Sequence, residues 1–209
     1  MAYRPTEKTL ARKAEIRQRL QNAALSLVSD GGFAALTVVA VAAQAGIATG
    51  AVYKHFESKD QLCCEVFRLA TEKEVAWVRE TALHGEGTPS ARLLRAIDVF
   101  ARRALRNPRL AFALIAEPVD VLVDAQRLRY RLAYASVFEQ LVDQGIQSGE
   151  FAPQFPNVSA AALVGVIAES LVGPLSWSTA EQQPMETESL IAAIQAFCLR
   201  AVATPKLNP

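Results

Sequence analysis

The chain has 209 residues, of which 51% are hydrophobic and 21% are charged, with 10 Gly, 10 Pro and a formal net charge of +1 at pH 7. This composition excludes a disordered tail, a collagen-like polymer and a polybasic coat for nucleic acid, and it allows one or two domains with a sizeable core. The three cysteines, Cys63, Cys64 and Cys198, form no CxxC pair and no Cys/His cluster. We therefore expect neither a disulfide framework nor a structural zinc site, and a reducing, cytoplasmic setting.

Apolar residues recur at helical spacing along nearly the whole chain, and no run of alternating β-branched residues is long enough to build a sheet. The predicted fold class is all-α, with about nine helices. The first helix is predicted to end at Gly31 and Gly32, which favour a C-cap. A short second helix begins at Thr37, whose hydroxyl can cap free N–H groups, and ends at Gly46. A brief third helix begins at Thr49.

The fourth helix is predicted from a capping box, in which Ser58 is the N-cap and the Gln61 side chain reaches back to the backbone N–H of Ser58. It runs to His84. Thr88 and Asn107 each precede a proline, the pattern of a helix start, and predict two more helices. The last three helices are predicted at about Val121–Gln147, Val158–Trp177 and Glu188–Val202.

The segment from Val158 to Trp177 has nearly the length of a membrane-spanning helix. Glu169 lies near its middle, and Pro174 weakens the pattern further, so we favour a helix buried on several sides over a membrane span. The N-terminal segment has basic residues but no apolar stretch after them, and it does not predict a signal peptide. We expect no membrane partner.

Positive charge is concentrated at the N-terminus. The first 60 residues contain eight Lys or Arg against five Asp or Glu, whereas the remaining residues contain 14 against 16. The second helix, the turn at Gly46 and the third helix predict a helix-turn-helix, whose second helix can enter the major groove of DNA. With Val52 and Phe56 turned inward, the outward positions of the third helix are small or polar. Such positions allow a close approach of the DNA backbone, and the helix N-terminus at Thr49 and Gly50 favours a phosphate.

This part of the sequence resembles the TetR-type transcriptional repressors. The resemblance is close over roughly residues 12 to 62 and rests on Thr37-Val38, Ala45-Gly46-Ile47, the run from Thr49 to Phe56 and the run from Ser58 to Leu62. It implies phosphate contacts for Thr37, Tyr53 and Lys59, and contacts with base edges or backbone for Gly50, Ala51 and Lys54. Thr49 and His55 complete the predicted DNA-binding set, although packing and a DNA-facing role are equally open for His55.

The resemblance divides the chain into a DNA-binding domain at residues 1–57 and a ligand-binding and dimerisation domain at residues 58–209. In the N-terminal arm, Arg4 and Arg12 are candidates for contacts in a minor groove. We expect Arg17 and Arg19 on a solvated helix face.

The last two helices are apolar over a wider face than one chain can bury, so a partner is expected to cover part of each. Two helices from each of two chains would form the four-helix bundle of a twofold homodimer. Such a dimer places two recognition helices about 34 Å apart and favours a near-palindromic operator. The predicted interface consists of Leu163, Val166, Ile167, Ile194 and Phe197.

The middle helices hold most of the large aromatic residues, and the resemblance implies that they enclose a pocket for an unidentified small-molecule effector. The candidate ligand-binding residues are Trp77, Phe100, Phe112, Arg131, Tyr134, Phe138 and Trp177. Plain core packing explains most of these aromatic residues more simply. An arginine on the wall suits an anionic or hydrogen-bonding ligand; alternatively it is a surface cation or a partner for Glu117 or Asp124.

The favoured function is a DNA-binding transcriptional repressor that a small molecule releases from its operator. An architectural DNA-binding protein without an effector is an alternative, although the C-terminal helices are excessive for it. An all-α enzyme is a weaker alternative, because His55 and His84 have no Cys, Ser or Asp partner at a motif spacing. We predict no enzyme activity, no catalytic residues, no metal and no cofactor. A redox role for Cys63 or Cys64 stays open, with packing favoured.

Overall fold

The computed structural model describes residues 6–176 and 185–204. Within these ranges the regular elements are helical, which confirms the predicted all-α fold. The helices are α1 (Glu7–Ala35), α2 (Val38–Ala45), α3 (Thr49–Val52), α4 (Lys59–Arg79), α5 (Pro89–Arg106), α6 (Pro108–Ile115), α7 (Val121–Gln147), α8 (Pro156–Leu175) and α9 (Thr187–Val202). A π-helical turn, Glu80–His84, extends α4.

Polar side chains cap the helices at the predicted positions. The Thr37 hydroxyl accepts a hydrogen bond from the backbone N–H of Ala40 at 3.1 Å, and the Ser58 hydroxyl accepts one from Gln61 at 3.0 Å. The capping box differs in one detail, because the Gln61 side chain accepts from the backbone N–H of Glu57 and not from that of Ser58. The other confirmed caps are Thr88 and Asn107, which precede the prolines that begin α5 and α6.

Helix α4 links the N-terminal helices to the rest of the fold, since it packs against α1 on one side and against α5 and α7 on the other. The Phe67 ring of α4 stacks on Phe33, with ring centroids 6.1 Å apart, and on Tyr130 of α7 at 5.8 Å. This aromatic column belongs to one continuous hydrophobic core. The predicted domain boundary between residues 57 and 58 falls just before α4 and stays a prediction.

Helix α8 is long and apolar enough to cross a membrane, judged by length and composition alone. It packs against α5, α6, α7 and α9, and it buries Leu163, Ile167 and Leu171 among them. These contacts place one stripe of α8 in the core of the bundle, while positions such as Ala161 and Gly165 stay exposed, so the expected burial on several sides is corrected to burial on one.

Candidate DNA-binding face and ligand cavity

Two arginines of α1 hold the short helices α2 and α3 in place. Arg17 donates from Nη1 to the carbonyl of His55 at 2.6 Å, and its guanidinium lies 4.3 Å from the centroid of the Phe56 ring. Arg19 donates to the carbonyl of Ala45 at the end of α2. The Ala45 carbonyl lies at the C-terminus of α2, where a cation is favourable, and the bond from Arg17 fixes the turn that follows α3, so both arginines have a structural role. Arg17 is half-buried, which corrects its expected place on a solvated face, whereas Arg19 is exposed, as expected.

A carboxylate at the start of α4 strengthens the same assembly. Glu65 accepts hydrogen bonds from Gln21 of α1 at 2.6 Å and from Nε of Arg68 at 2.9 Å. Hydrogen bonding from Arg68 lowers the pKa of Glu65 and outweighs the opposing effect of burial, with the charges of Arg68 and Arg17 adding to it. The carboxylate therefore stays ionised and joins α1 to α4.

Helices α1, α2 and α3 form the head of the molecule, and the predicted DNA-binding residues lie on its surface. Val52 and Phe56 are buried, as expected, while the positions around them reach solvent. A Cβ placed on Gly50 would meet no other atom within 4 Å. The protein's own packing therefore does not require a glycine there, although an approaching DNA backbone would. The exposed members of the set are Thr37, Thr49, Gly50, Tyr53, Lys54 and Lys59, and the half-buried members are Ala51 and His55.

His55 lies beside a group of cations. Burial lowers its pKa, and the charges of Lys13, Arg17 and Lys54 lower it further, so the imidazole is neutral at pH 7. His55 shares a shallow surface hollow with Arg12, Lys13 and Lys54. The cations of the hollow give this side of the head a local positive charge, to which His55 adds none. Arg4, the other candidate of the arm, lies outside the described residues.

A cavity of about 310 Å³ lies within the helical bundle, between α4, α5, α6, α7 and α8. This volume is in the range of small-molecule sites. The predicted ligand-binding residues on its wall are Phe100, Arg131, Tyr134 and Phe138. Trp77 and Phe112 are not on that wall: Trp77 is exposed beside the Arg103 guanidinium, and Phe112 packs against the core. Trp177 lies outside the described residues.

Sequence reasoning missed the part of the wall that α4 supplies. Phe67, Ala70, Thr71 and Glu74 all line the cavity, and their spacing of three, one and three places them on one face of a helix. That spacing is visible in the sequence, but Thr71 and Glu74 are polar and fall outside the apolar pattern from which the core-facing side of α4 is predicted.

Helix α6 connects the cavity wall to the head. Leu110 and Leu114 line the cavity, while Arg109 of the same helix donates to the carbonyl of Gly31 at 2.9 Å. Just after α6, the Glu117 carboxylate accepts hydrogen bonds from two backbone N–H groups of α1, those of residues 33 and 34, at 3.0 and 3.2 Å. An eight-residue helix thus contacts both the cavity and the end of α1.

These bonds are possible because α1 breaks at Gly32, where φ is 73° and the backbone is in the left-handed region. A Cβ at this position would collide with the Glu117 carboxylate. Arg127, on the cavity wall, donates to the carbonyl of Glu117 at 2.6 Å and to that of Leu114 at 3.0 Å. A chain of hydrogen bonds therefore runs from the cavity to the break in α1.

The predicted dimer interface is only partly available to a partner. Leu163, Ile167 and Ile194 are 2, 3 and 4% exposed within the single chain, because they face its own core. This corrects the expectation that they contact a second chain. Val166 is half-buried, and Phe197 is 53% exposed.

The two adjacent cysteines are poor nucleophiles. Burial raises the pKa of the Cys63 thiol to about 12 and also raises that of Cys64. Both side chains are therefore protonated thiols at pH 7, and their surroundings favour packing over redox chemistry.

Comparison with known proteins gives both local and global similarities. The family model for bacterial regulatory proteins of the tetR family matches residues 20–66. The HTH-type transcriptional repressor KstR of Mycolicibacterium smegmatis is 36% identical over 100 residues, which span 48% of this chain and 48% of that repressor.

Two solved structures share the whole fold. The transcriptional regulator FadR of Bacillus subtilis, in complex with stearoyl-CoA, has a TM-score of 0.74 at 18% identity and covers 88% of this chain and 98% of its own. A transcriptional regulator from Saccharomonospora viridis, in complex with choline, has a TM-score of 0.76 at 16% identity and covers 92% and 100%. At these identities the similarity concerns the fold alone.

Proposed function

Because the chain belongs to the TetR family of bacterial regulatory proteins, we propose that it is a cytoplasmic transcriptional repressor that a small molecule releases from a DNA operator. The observation that carries the proposal is the surface of the head. There, exposed hydrogen-bond donors and Gly50 surround the buried Val52 and Phe56. No other residue packs into the open space beside Gly50.

In the proposed complex with DNA, the head lies in the major groove. Thr37, Tyr53 and Lys59 contact phosphates, and Lys54 reaches base edges or backbone. Thr49, Gly50 and Ala51 allow the close approach, with His55 at the edge of the contact. The cations of the adjacent hollow supply the salt-dependent part of the affinity.

Release is proposed to act through α6. A ligand in the cavity contacts Leu110 and Leu114, and any shift of α6 moves the Glu117 carboxylate and Arg109, which bind the end of α1. Since α1 holds α2 and α3 through Arg17 and Arg19, such a shift alters the position of the head. The two sites are then linked through one element that both contact.

The functional unit is proposed to be a twofold homodimer formed by α8 and α9. Val158 of α8 is 62% exposed and Phe197 of α9 is 53% exposed, with small residues such as Ala161 and Gly165 exposed nearby on α8. An apolar surface of this kind on a helical pair indicates a protein interface. The dimer would place two heads about one turn of DNA apart, and the division into domains at residues 57 and 58 would separate head from dimer.

The bound ligands of the two structural neighbours, stearoyl-CoA and choline, carry opposite charges. The fold therefore leaves the chemistry of the effector to the side chains of each protein.

The experiment is selection of duplexes from a random pool, followed by sequencing. We expect enrichment of a near-palindromic site whose half-sites are about 10 base pairs apart, centre to centre. Lys54→Ala should reduce the enrichment without lowering the melting temperature. A pool that stays random with the wild-type protein, or enrichment that Lys54→Ala leaves intact, would contradict the proposal.

A further inference from the structure

We propose that the cavity takes an anionic amphiphile, a molecule with an apolar body and one acidic head group, whose charge Arg106 and Arg131 balance. The inference rests on the proposed function only in treating the cavity as a ligand site, and it names the class of the ligand.

The body of the cavity is apolar. Aromatic and aliphatic side chains from five helices form most of the wall. Tyr134 packs edge-on against Phe100, with ring centroids 5.4 Å apart and an interplanar angle of 84°. Burial raises the pKa of Tyr134, so its phenol is neutral at pH 7. Such a wall binds hydrocarbon by removing it from water.

The described part of the wall contains four arginines, and two of them are already neutralised. Arg103 forms an ion pair with Glu74, the one carboxylate among the described lining residues, and its Nη2 donates at 2.8 Å. Arg127 pairs with Asp124 at 2.8 Å, and its remaining N–H groups donate to backbone carbonyls. Neither guanidinium is free to balance the charge of a ligand.

The other two arginines of the wall carry uncompensated charge. Neither Arg106 nor Arg131 forms a hydrogen bond or an ion pair with any residue in the described ranges. Both side chains are also exposed, so the charged groups lie where the cavity meets solvent. Among the described residues, an excess of two positive charges beside an apolar chamber favours a ligand with an acidic head and a hydrocarbon body.

A buried hydroxyl in the wall gives an independent indication of an occupant. Thr71 is only 6% exposed, and its Oγ1 has no hydrogen-bond partner among the described residues. An unsatisfied buried hydroxyl is unfavourable, and native structures usually provide a partner. An oxygen atom of a bound ligand would supply it.

The test measures binding of three probes that share a ten-carbon chain: decanoate, decanol and decyltrimethylammonium. Isothermal titration calorimetry on the full-length protein, below the micelle concentrations, gives each dissociation constant. We expect decanoate to bind at least tenfold more tightly than decanol and decyltrimethylammonium to bind more weakly than either. Decanoate should also raise the melting temperature.

Variants assign the preference to the two arginines. The double substitution Arg106→Gln with Arg131→Gln should reduce the affinity for decanoate to that for decanol, while leaving decanol binding unchanged. Arg129→Gln, on the same helix but absent from the cavity wall, is the matched control and should keep the preference.

Equal binding of decanoate and decanol by the wild-type protein would overturn the proposal. So would a preference that survives the double substitution, or a failure of all three probes to bind. Operator selection is measured separately, so a protein that selects a duplex and fails here refutes the ligand class alone.

Discussion

The glycine at position 50 is explained by the proposed DNA partner and not by the internal packing of the protein. It lies in the first turn of α3, and a Cβ there would contact nothing in the chain. Gly46, by comparison, needs its glycine because its φ is 66°. A residue whose smallness serves no internal contact is best explained by an external one.

We predict that Gly50→Leu leaves the free energy of unfolding unchanged or raises it by up to about 1 kcal/mol, since glycine is unfavourable within a helix. The same substitution should weaken operator binding at least tenfold by blocking the approach of the DNA backbone. Urea denaturation and fluorescence anisotropy measure the two effects. Ala76→Leu, at an exposed position of α4, is the control and should change neither. Unchanged DNA binding by Gly50→Leu would remove α3 from the interface.

Glu65 gives the head a pH dependence whose sign follows from its lowered pKa. A carboxylate with a depressed folded pKa stabilises the fold above its ordinary pKa of 4.5, and this contribution is lost as the pH falls through the folded value. Glu65→Gln should lower the unfolding free energy at pH 7 by about 1 to 3 kcal/mol. The loss should shrink at pH 3, measured by urea denaturation. An equal loss at both pH values would show that the charge has no role.

At the scale of elements, α6 matters because its two sides serve different parts of the molecule. Glu117 binds backbone N–H groups of residues 33 and 34, which are more than 80 positions away in sequence. We predict that Glu117→Ala speeds hydrogen exchange at these two amides at least tenfold, since each loses its acceptor. Glu139→Ala, at an exposed position of α7, should leave both rates unchanged. Unaltered exchange in Glu117→Ala would exclude Glu117 as the link between α6 and α1.

Local signals predicted the elements well. Thr37, Ser58, Thr88 and Asn107 mark helix starts through bonds to residues three positions later, so the sequence alone identifies them. Gly32 marked the break in α1, although helical structure resumes as far as residue 35. Regular spacing along α7 likewise brought Arg131, Tyr134 and Phe138 to one cavity wall.

Contacts between distant residues were not predictable in the same way. Arg17 and His55 are 38 positions apart, and nothing in the local pattern of α1 distinguishes an arginine bound to a carbonyl from a solvated one. The residues that face α7 across the cavity, such as Thr71 and Arg106, depend on how five helices pack together. The burial of Leu163 and Ile167 depended on the same packing, since an apolar helix alone does not reveal which of its faces meets the chain's own core.

For the whole molecule, the proposed dimer depends on apolar residues that are exposed on α8 and α9, and not on those buried in the core of the single chain. Val158→Glu with Phe197→Glu places charges on the exposed faces of α8 and α9, and we predict folded monomers in analytical ultracentrifugation. Leu163→Glu, by contrast, buries a charge in the core and should destabilise the fold by several kcal/mol. A double variant that keeps the dimer mass and the wild-type melting temperature would show that the interface lies elsewhere.

DNA binding through phosphate contacts is the central claim, and the salt dependence of operator affinity tests it most directly. The association constant of a duplex obtained by selection should fall steeply and linearly on a double logarithmic scale as salt rises, because each neutralised phosphate releases counterions. Lys59→Ala, which removes a proposed phosphate contact, should reduce the slope by about one. A slope near zero for the wild-type protein would contradict the account.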